Sequence, residues 1–256
     1  MEYLSMDDSF IHSFIRLLVR SFISLAVITL STTVQAQYHK VYPVMTLTSG
    51  VSIATLGKSV SFPFGVSQYS YAADSSASSA FLGGIFLGAE IPNQSVDIQV
   101  GIGYYQTTQF NASGLLTQGV SPATSNTYPY SYQMSSSQFL VETKILTMPQ
   151  KIYHPYVTAG LGAAINNVYH FQETYPMFLT FTPLYNSNSN TNFTYSIGTG
   201  LDVDAGSHVR LGVGYRFTDL GQANLGSGLI DDIPISNRLT QANVFANEVF
   251  AQLTIH

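Results

Sequence analysis

Cysteine and tryptophan are absent from this chain of 256 residues, and charge is scarce: 9 basic and 14 acidic side chains make up 9% of it, against about 25% in typical soluble domains. Without cysteine there is no thiol chemistry, no disulfide scaffold, no Cys-based zinc site and no lipid-attachment residue. A sequence pI near 5.5 excludes a basic nucleic-acid binder. Helical periodicity is missing too, since no segment repeats its apolar residues every 3.6 positions. What is abundant is apolar and aromatic. Those classes account for 45% and 13% of the chain, which is the opposite of a disordered composition. A water-soluble protein with so few charges would have to solvate its surface with Ser, Thr and Asn.

The first 36 residues read as an export leader. Arg16 and Arg20 precede an apolar run over 21–33, and Val34-Gln35-Ala36 offers small residues at the positions a signal peptidase reads. Cleavage is expected before Gln37. The alternative is an N-terminal anchor, but the two arginines shorten the uncharged stretch below the roughly 20 residues that span a bilayer. Glu2, Asp7 and Asp8 are unusual in a basic leader and point to a start later than Met1. No second hydrophobic stretch is long enough for a membrane helix.

From there the chain alternates. Val96, Ile98, Val100, Ile102 and Tyr104 share one parity, and Asp97, Gln99, Gly101, Gly103 and Tyr105 the other, the period of two that marks a strand with one apolar face. The same pattern predicts strands over 44–56, 81–91, 132–148, 156–170, 193–204, 208–218 and 242–256. The intervening connections alternate long and short: 57–80, 92–95, 111–131, 149–155, 171–192, 205–207 and 219–241. Pro92-Asn93-Gln94-Ser95 and Ala205-Gly206-Ser207 carry turn residues. An even number of antiparallel strands with long loops at one end and short turns at the other is the plan of an outer-membrane barrel.

A soluble eight-stranded barrel of the lipocalin kind shares this up-and-down topology. It would put the apolar parity inside and charges outside. Here the second parity holds Gly101, Gly103, Gly160, Gly162, Gly198, Gly200, Gly212 and Gly214 with a few charges, a composition suited to a crowded barrel interior and not to a solvated wall. The fold expected is an all-β, eight-stranded antiparallel up-and-down transmembrane β-barrel over 37–256, with the apolar parity toward lipid.

Leu211-Gly-Val-Gly-Tyr-Arg-Phe217, then Thr218-Asp219-Leu220-Gly221 and the alternating segment 247–255, resemble the OmpA-like and opacity-protein-like family of outer-membrane barrels, as does Pro155-Tyr-Val-Thr-Ala-Gly-Leu-Gly-Ala163. The resemblance implies a bacterial outer-membrane location, periplasmic termini and extracellular loops. Members commonly end in an aromatic residue, whereas this chain ends Leu253-Thr254-Ile255-His256.

Inward charges in a narrow barrel need partners. Glu90, Asp97, Glu142, Asp202, Asp204 and Glu248, with Lys144, Arg210 and Arg216, fall on the inward parity. Pairing from the turns sets Arg216 level with Glu248, and Asp202 level with Arg210. The site expected is a lumen charge network of Glu142, Lys144, Asp202, Arg210, Arg216 and Glu248, which either closes the interior or gates ions.

Catalysis is not expected. A serine nucleophile needs a histidine base oriented by an acid. Outer-membrane lipid A deacylases resemble this chain around Arg216-Phe217 and carry a His-x-Ser-Asn element shortly after, where this chain has Asp219-Leu220-Gly221-Gln222. His39, His154, His170, His208 and His256 fall singly. Asp231-Asp232 is weak evidence for a cation, so neither metal nor cofactor is expected. The long connections contain Ser75-Ser76-Ala77-Ser78-Ser79, Tyr128-Pro129-Tyr130-Ser131-Tyr132 and Asn186-Ser-Asn-Ser-Asn-Thr-Asn192. Such Tyr, Ser and Asn mixtures suit adaptable binding or plain hydration of the rim, and the tyrosines suit an interfacial girdle. The expected partners are outer-membrane lipid and lipopolysaccharide, with host-surface or other extracellular ligands through the loops, no nucleic acid, and a monomeric barrel. The expected role is envelope structure and surface interaction, with a narrow ion pore or a membrane-embedded hydrolase as alternatives.

Overall fold

The period of two becomes strands because each extended residue sends its side chain to the face opposite its neighbour's. The computed structural model describes residues 41–120, 125–174, 184–230, 233–235, 239–241 and 243–256. Its longer strands are β1 (Tyr42–Thr55), β2 (Val60–Phe64), β3 (Ser67–Ala73), β4 (Ala77–Ile91), β5 (Val96–Thr107), β6 (Phe110–Gly119), β7 (Asn126–Thr147), β8 (Tyr153–Glu173), β10 (Asn188–Asp204), β11 (Val209–Asp219) and β16 (Phe245–Ile255). Short pieces complete the set: β9 (Leu184–Tyr185), β12 (Ala223–Asn224), β13 (Gly228–Ile230), β14 (Ile233–Ile235) and β15 (Thr240–Gln241).

Pairing runs β1-β4-β5-β7-β8-β10-β11-β16, every step antiparallel, and β16 pairs back onto β1 from Met45↔Ile255 to Ala54↔Ala246. Eight strands therefore close into a barrel with no free edge along its wall. Among the described residues no helix is long and apolar enough to cross a membrane.

The apolar parity faces outward, as Ile102, Ile197 and Val213 show, each more than 60% exposed. The glycine-and-charge parity faces the lumen, where Gln99, Asp202 and Glu248 have no accessible surface. Glycine at these inward positions leaves room for larger neighbours. A Cβ at Gly103 would sit 2.6 Å from Glu142 Oε2, and one at Gly160 would sit 3.0 Å from Glu142 Cγ. Outward aromatics gather toward the long-connection end of the strands: Phe81, Tyr104, Phe139, Phe193, Tyr215 and Phe245 are all exposed. Tyr104 and Phe139 touch, with ring centroids 4.8 Å apart. Tyr42 and Tyr153 are exposed at the short-turn end. The aromatics at the long-connection end match one interfacial girdle of a membrane barrel, with Tyr42 and Tyr153 at the opposite edge of the apolar band.

Beyond that belt the long connections are folded. Strands β2 and β3 form a hairpin within 57–80, and β3 pairs with β6, which pairs with the first half of β7. Tyr128, Tyr130 and Tyr132 do not belong to the girdle: all three are buried inside this extension. They lie on the same parity as Glu142 and Lys144, which continues unbroken along β7, so the strand that aims the charges into the lumen aims the tyrosines inward as well. Tyr71 packs edge-on to Tyr130 at 5.2 Å and to Tyr185 at 5.9 Å, and Phe62 stacks on Tyr69 at 5.7 Å. The asparagine-rich segment is likewise ordered. Asn188 and Asn190 each donate Nδ2 to Asn224 O at 3.2 Å, and Asn192 donates to Gln222 O at 2.8 Å. From the neighbouring strand Asn166 donates to Leu220 O at 2.7 Å. Alternate residues of one strand thus clamp the backbone of the last long connection.

Candidate functional site

The lumen holds its ionisable groups in clusters. At mid-height Arg216 on β11 and Glu248 on β16 are register partners, and Arg216 Nε lies 2.6 Å from Glu248 Oε2. The same guanidinium reaches Glu142 Oε1 on β7 at 3.2 Å and lies over the Tyr105 ring at 3.8 Å. Tyr105 donates its hydroxyl to Glu142 Oε2 at 2.6 Å, while Gln138 and Thr218 donate to Glu248 at 3.2 and 3.3 Å. One cation shared between two hydrogen-bonded carboxylates offsets the desolvation that burying any of them alone would cost.

Closer to the short turns Lys144 and Asp202 meet at 2.6 Å, and Lys144 lies 4.0 Å from the centroid of the Tyr156 ring. Gln252 also donates to Asp202. A bidentate contact joins Arg210 to Glu90 at 2.6 and 3.2 Å, and Arg210 Nε meets Asp204 at 3.1 Å. Gln99 donates to Glu90 at 2.7 Å, and His154 Nε2 lies 3.1 Å from Asp204. Asp97, also buried, accepts the Asn93 amide at 3.3 Å.

The expected Asp202–Arg210 pair is not formed. The tight turn sets Asp204 opposite Arg210 and Asp202 opposite Gly212, so Asp202 is two residues out of step and turns to Lys144 across the lumen. The network also has an uncharged half: Tyr105, Tyr156, Gln99, Gln138 and Gln252 lie on the inward parity beside the charges. Parity in the sequence already set Gln99, Tyr105 and Gln252 on that face without giving them a part in the network, and counting by two also reaches Tyr156 and Gln138.

The remaining free space is small. A cavity of about 40 Å³ is lined by Gln99, Tyr105, Glu142, Lys144, Arg216 and Gln252, among others, which is room for a few waters and not for a continuous channel. Leu82, Tyr105, Leu140 and Phe250 form one apolar cluster, of which Tyr105 and Phe250 line this cavity, and the extension has a buried aromatic core of its own. Among the described residues no three His, Asp or Glu side chains are placed to hold a metal.

One further buried carboxylate belongs to the extension. Between Ser131 and Gln133 on β7 the register with β8 shifts, and His170 there has a φ of 54°. Such a bulge re-aims the residues beyond it: Phe171 and Glu173 turn inward, where the parity of β8 would have sent them out. Tyr71 donates its hydroxyl to Glu173 Oε1 at 3.0 Å, and Oε2 has no partner. Burial pushes the Glu173 carboxyl up to about 8.

Residues 22–244 match the model of the outer membrane protein β-barrel domain family. Among solved structures, Neisserial surface protein A is 12% identical with a TM-score of 0.42, covering 84% of this chain and 98% of that one. The outer membrane protein OprG of Pseudomonas aeruginosa is 10% identical with a TM-score of 0.48, covering 83% and 96%. The outer membrane protease OmpT of Escherichia coli is 9% identical with a TM-score of 0.47, covering 84% and 96%. Comparison with curated proteins finds no match.

Proposed function

The chain belongs to the outer membrane protein β-barrel domain family, and from that premise we propose that it is a closed, non-enzymatic barrel serving envelope structure and surface interaction. Its place is the bacterial outer membrane, with the outward apolar band in lipid. The extended, long-connection end faces the exterior and presents the surface for lipopolysaccharide or extracellular ligands. The charged residues of the lumen have a structural role: Arg216 with Glu142 and Glu248, Lys144 with Asp202, and Arg210 with Glu90 and Asp204 neutralise one another and help fill the interior.

The observation that carries this reading is how the described residues occupy the interior, with paired charges toward the short turns and buried apolar and aromatic residues in the extension. A pore would need a continuous polar path, and the tyrosine-rich core interrupts one. Purified protein in planar bilayers is therefore expected to show little steady conductance. Large, stable channels in the unmodified protein would reject the closed lumen.

Among the described residues no serine, histidine and acid stand in the series a hydrolytic triad requires. His154 has an acid partner in Asp204, but its other ring nitrogen meets no hydroxyl. Ser207 contacts His208 at 2.8 Å in an exposed turn, with no carboxylate paired to that imidazole among the described ion pairs. A triad needs all three groups in series.

Two cellular experiments test the placement. N-terminal sequencing of the membrane form is expected to begin at Gln37, after loss of residues 1–36. Protease added to intact cells is expected to cut only in long connections, for instance near Asp74, whereas epitope tags at Asn93 or Gly206 stay hidden until the outer membrane is broken. Labelling of a Gly206 tag on sealed cells would reverse the orientation.

A further inference from the structure

The outward wall of the barrel is not evenly filled. On the consecutive strands β7, β8, β10 and β11 two register rows lie side by side. One row is Thr143, Ala159, Ile197 and Phe217, and the next, toward the short turns, is Ile145, Val157, Thr199 and Tyr215. The small side chains of Thr143, Ala159 and Thr199 leave a sunken line, with Ile197 and Phe217 on one side and Ile145 and Val157 on the other. The result is a groove of about 470 Å³ on the outer face of the wall, within the ~300–1,000 Å³ of small-molecule sites.

The groove hides its hydroxyls and keeps its polar atoms at one end. Thr199 donates to Tyr156 O at 2.9 Å and Thr158 to Thr143 O at 3.1 Å, so both are spent on strand carbonyls. Tyr215, in the exposed aromatic belt, donates its hydroxyl to Asn247 Oδ1 at 2.6 Å. From Tyr215 on β11 the groove crosses to β7, where Thr143 and Ile145 lie on the short-turn side of Phe139, the belt residue of that strand. It therefore runs from the level of the headgroups into the hydrocarbon.

We propose that this groove binds one acyl chain of a bilayer lipid, with the polar end of the lipid at Tyr215 and the methyl end toward Thr143. The inference rests on the outer-membrane reading, in which lipid covers this wall, and assigns one place on the wall to one chain. Shape selects the occupant. The floor is one side chain wide, close to a strand spacing of about 4.8 Å, which admits a single methylene chain and not the convex wall of a second barrel. Preference over the rest of the wall comes from packing. Lipid tails are as apolar as Leu, so burial in the groove gains no hydrophobic energy over the bilayer. A chain in the groove is touched from the floor and both sides, whereas one on a convex wall is touched from one side, and each added atomic contact contributes dispersion energy.

The chain has no tryptophan, so a single introduced one reports only its own surroundings. Phe217→Trp places it on the groove wall, and Leu87→Trp places it on the exposed apolar face of β4, across the barrel. Each variant is reconstituted with phosphatidylcholine brominated along its acyl chains, which quenches tryptophan on contact. Cholate is then titrated in, since its rigid rings displace lipid from an open wall and do not enter a groove one side chain wide. Quenching at Phe217→Trp is expected to persist to a cholate-to-lipid ratio about tenfold higher than at Leu87→Trp, a preference of about 1.4 kcal/mol. Adding Ala159→Phe or, separately, Thr199→Leu to Phe217→Trp fills the floor from the lipid side without touching the lumen. Either is expected to bring the two ratios together. Equal ratios with the groove open, or a tenfold difference that survives both fillings, would overturn the proposal. So would quenching at Leu87→Trp alone, which would mean that something other than a lipid chain, such as a second copy, covers the groove. No quenching at either site would reject the lipid-facing band itself, and the groove with it.

Discussion

Arg216→Ala is expected to lower the unfolding stability of the barrel by about 3–5 kcal/mol, the range for leaving a buried charge without its partner. Arg216 is 2% exposed and Glu248 not at all, so little water screens the loss. Because Arg216 serves both Glu248 and Glu142, its removal strands two carboxylates in one confined space. Glu248→Ala leaves the guanidinium its second partner and is expected to cost less. The double variant Arg216→Ala with Glu248→Ala is expected to lose less than the sum of the two. The checks are urea unfolding in lipid vesicles, read by heat-modifiable gel mobility, and circular dichroism, which should remain β-rich in every variant. Strictly additive losses would mean that the two side chains do not interact.

That pair was legible because both residues stand on adjacent strands, where a register drawn from the sequence applies. Arg210 and Asp204 face each other in the same way across the tight turn, but there the register drawn from the sequence was two residues off. The pairs that cross the lumen were not legible. Lys144 on β7 reaches Asp202 on β10 past β8, and Arg210 on β11 reaches Glu90 on β4 past β16 and β1. Such contacts are fixed by barrel diameter and shear, which no local pattern encodes. The fold itself was readable, since alternation, inward glycine and the long–short sorting of connections are all local. The extension was half readable. Parity along β7 already placed Tyr128, Tyr130 and Tyr132 inside, yet their Ser- and Pro-rich surroundings favoured a loop or girdle. Tertiary pairing with β6, itself paired with β3, overrode that local preference.

Glu173 lay beyond sequence reasoning altogether, because the bulge at His170 reverses the parity of β8 just before it. Its environment predicts a pH dependence confined to the extension. The carboxyl faces Tyr71 of β3, Tyr130 of β7 and Tyr185 of β9, and burial among them, with no cation beside it among the described residues, disfavours the charged form and pushes the group up to about 8. An ordinary glutamate titrates at about 4.3. Below that value both folded and opened forms hold the proton, and stability is unaffected. Between about 4.3 and 8 the opened form releases it while the folded form retains it, so stability falls as pH rises and levels off above 8. The full effect corresponds to about 5 kcal/mol at about 1.4 kcal/mol for each pH unit. Hydrogen exchange of β3, β9 and the end of β8 is therefore expected to accelerate from pH 5 to pH 8, after correction for intrinsic chemistry, while the eight barrel strands near the lumen network keep their protection. Glu173→Gln keeps an acceptor for the Tyr71 hydroxyl and cannot ionise. It is expected to abolish the pH dependence and to protect the extension at pH 8 beyond the wild type. An unchanged pH slope in Glu173→Gln would assign the effect to another group and remove Glu173 from the account.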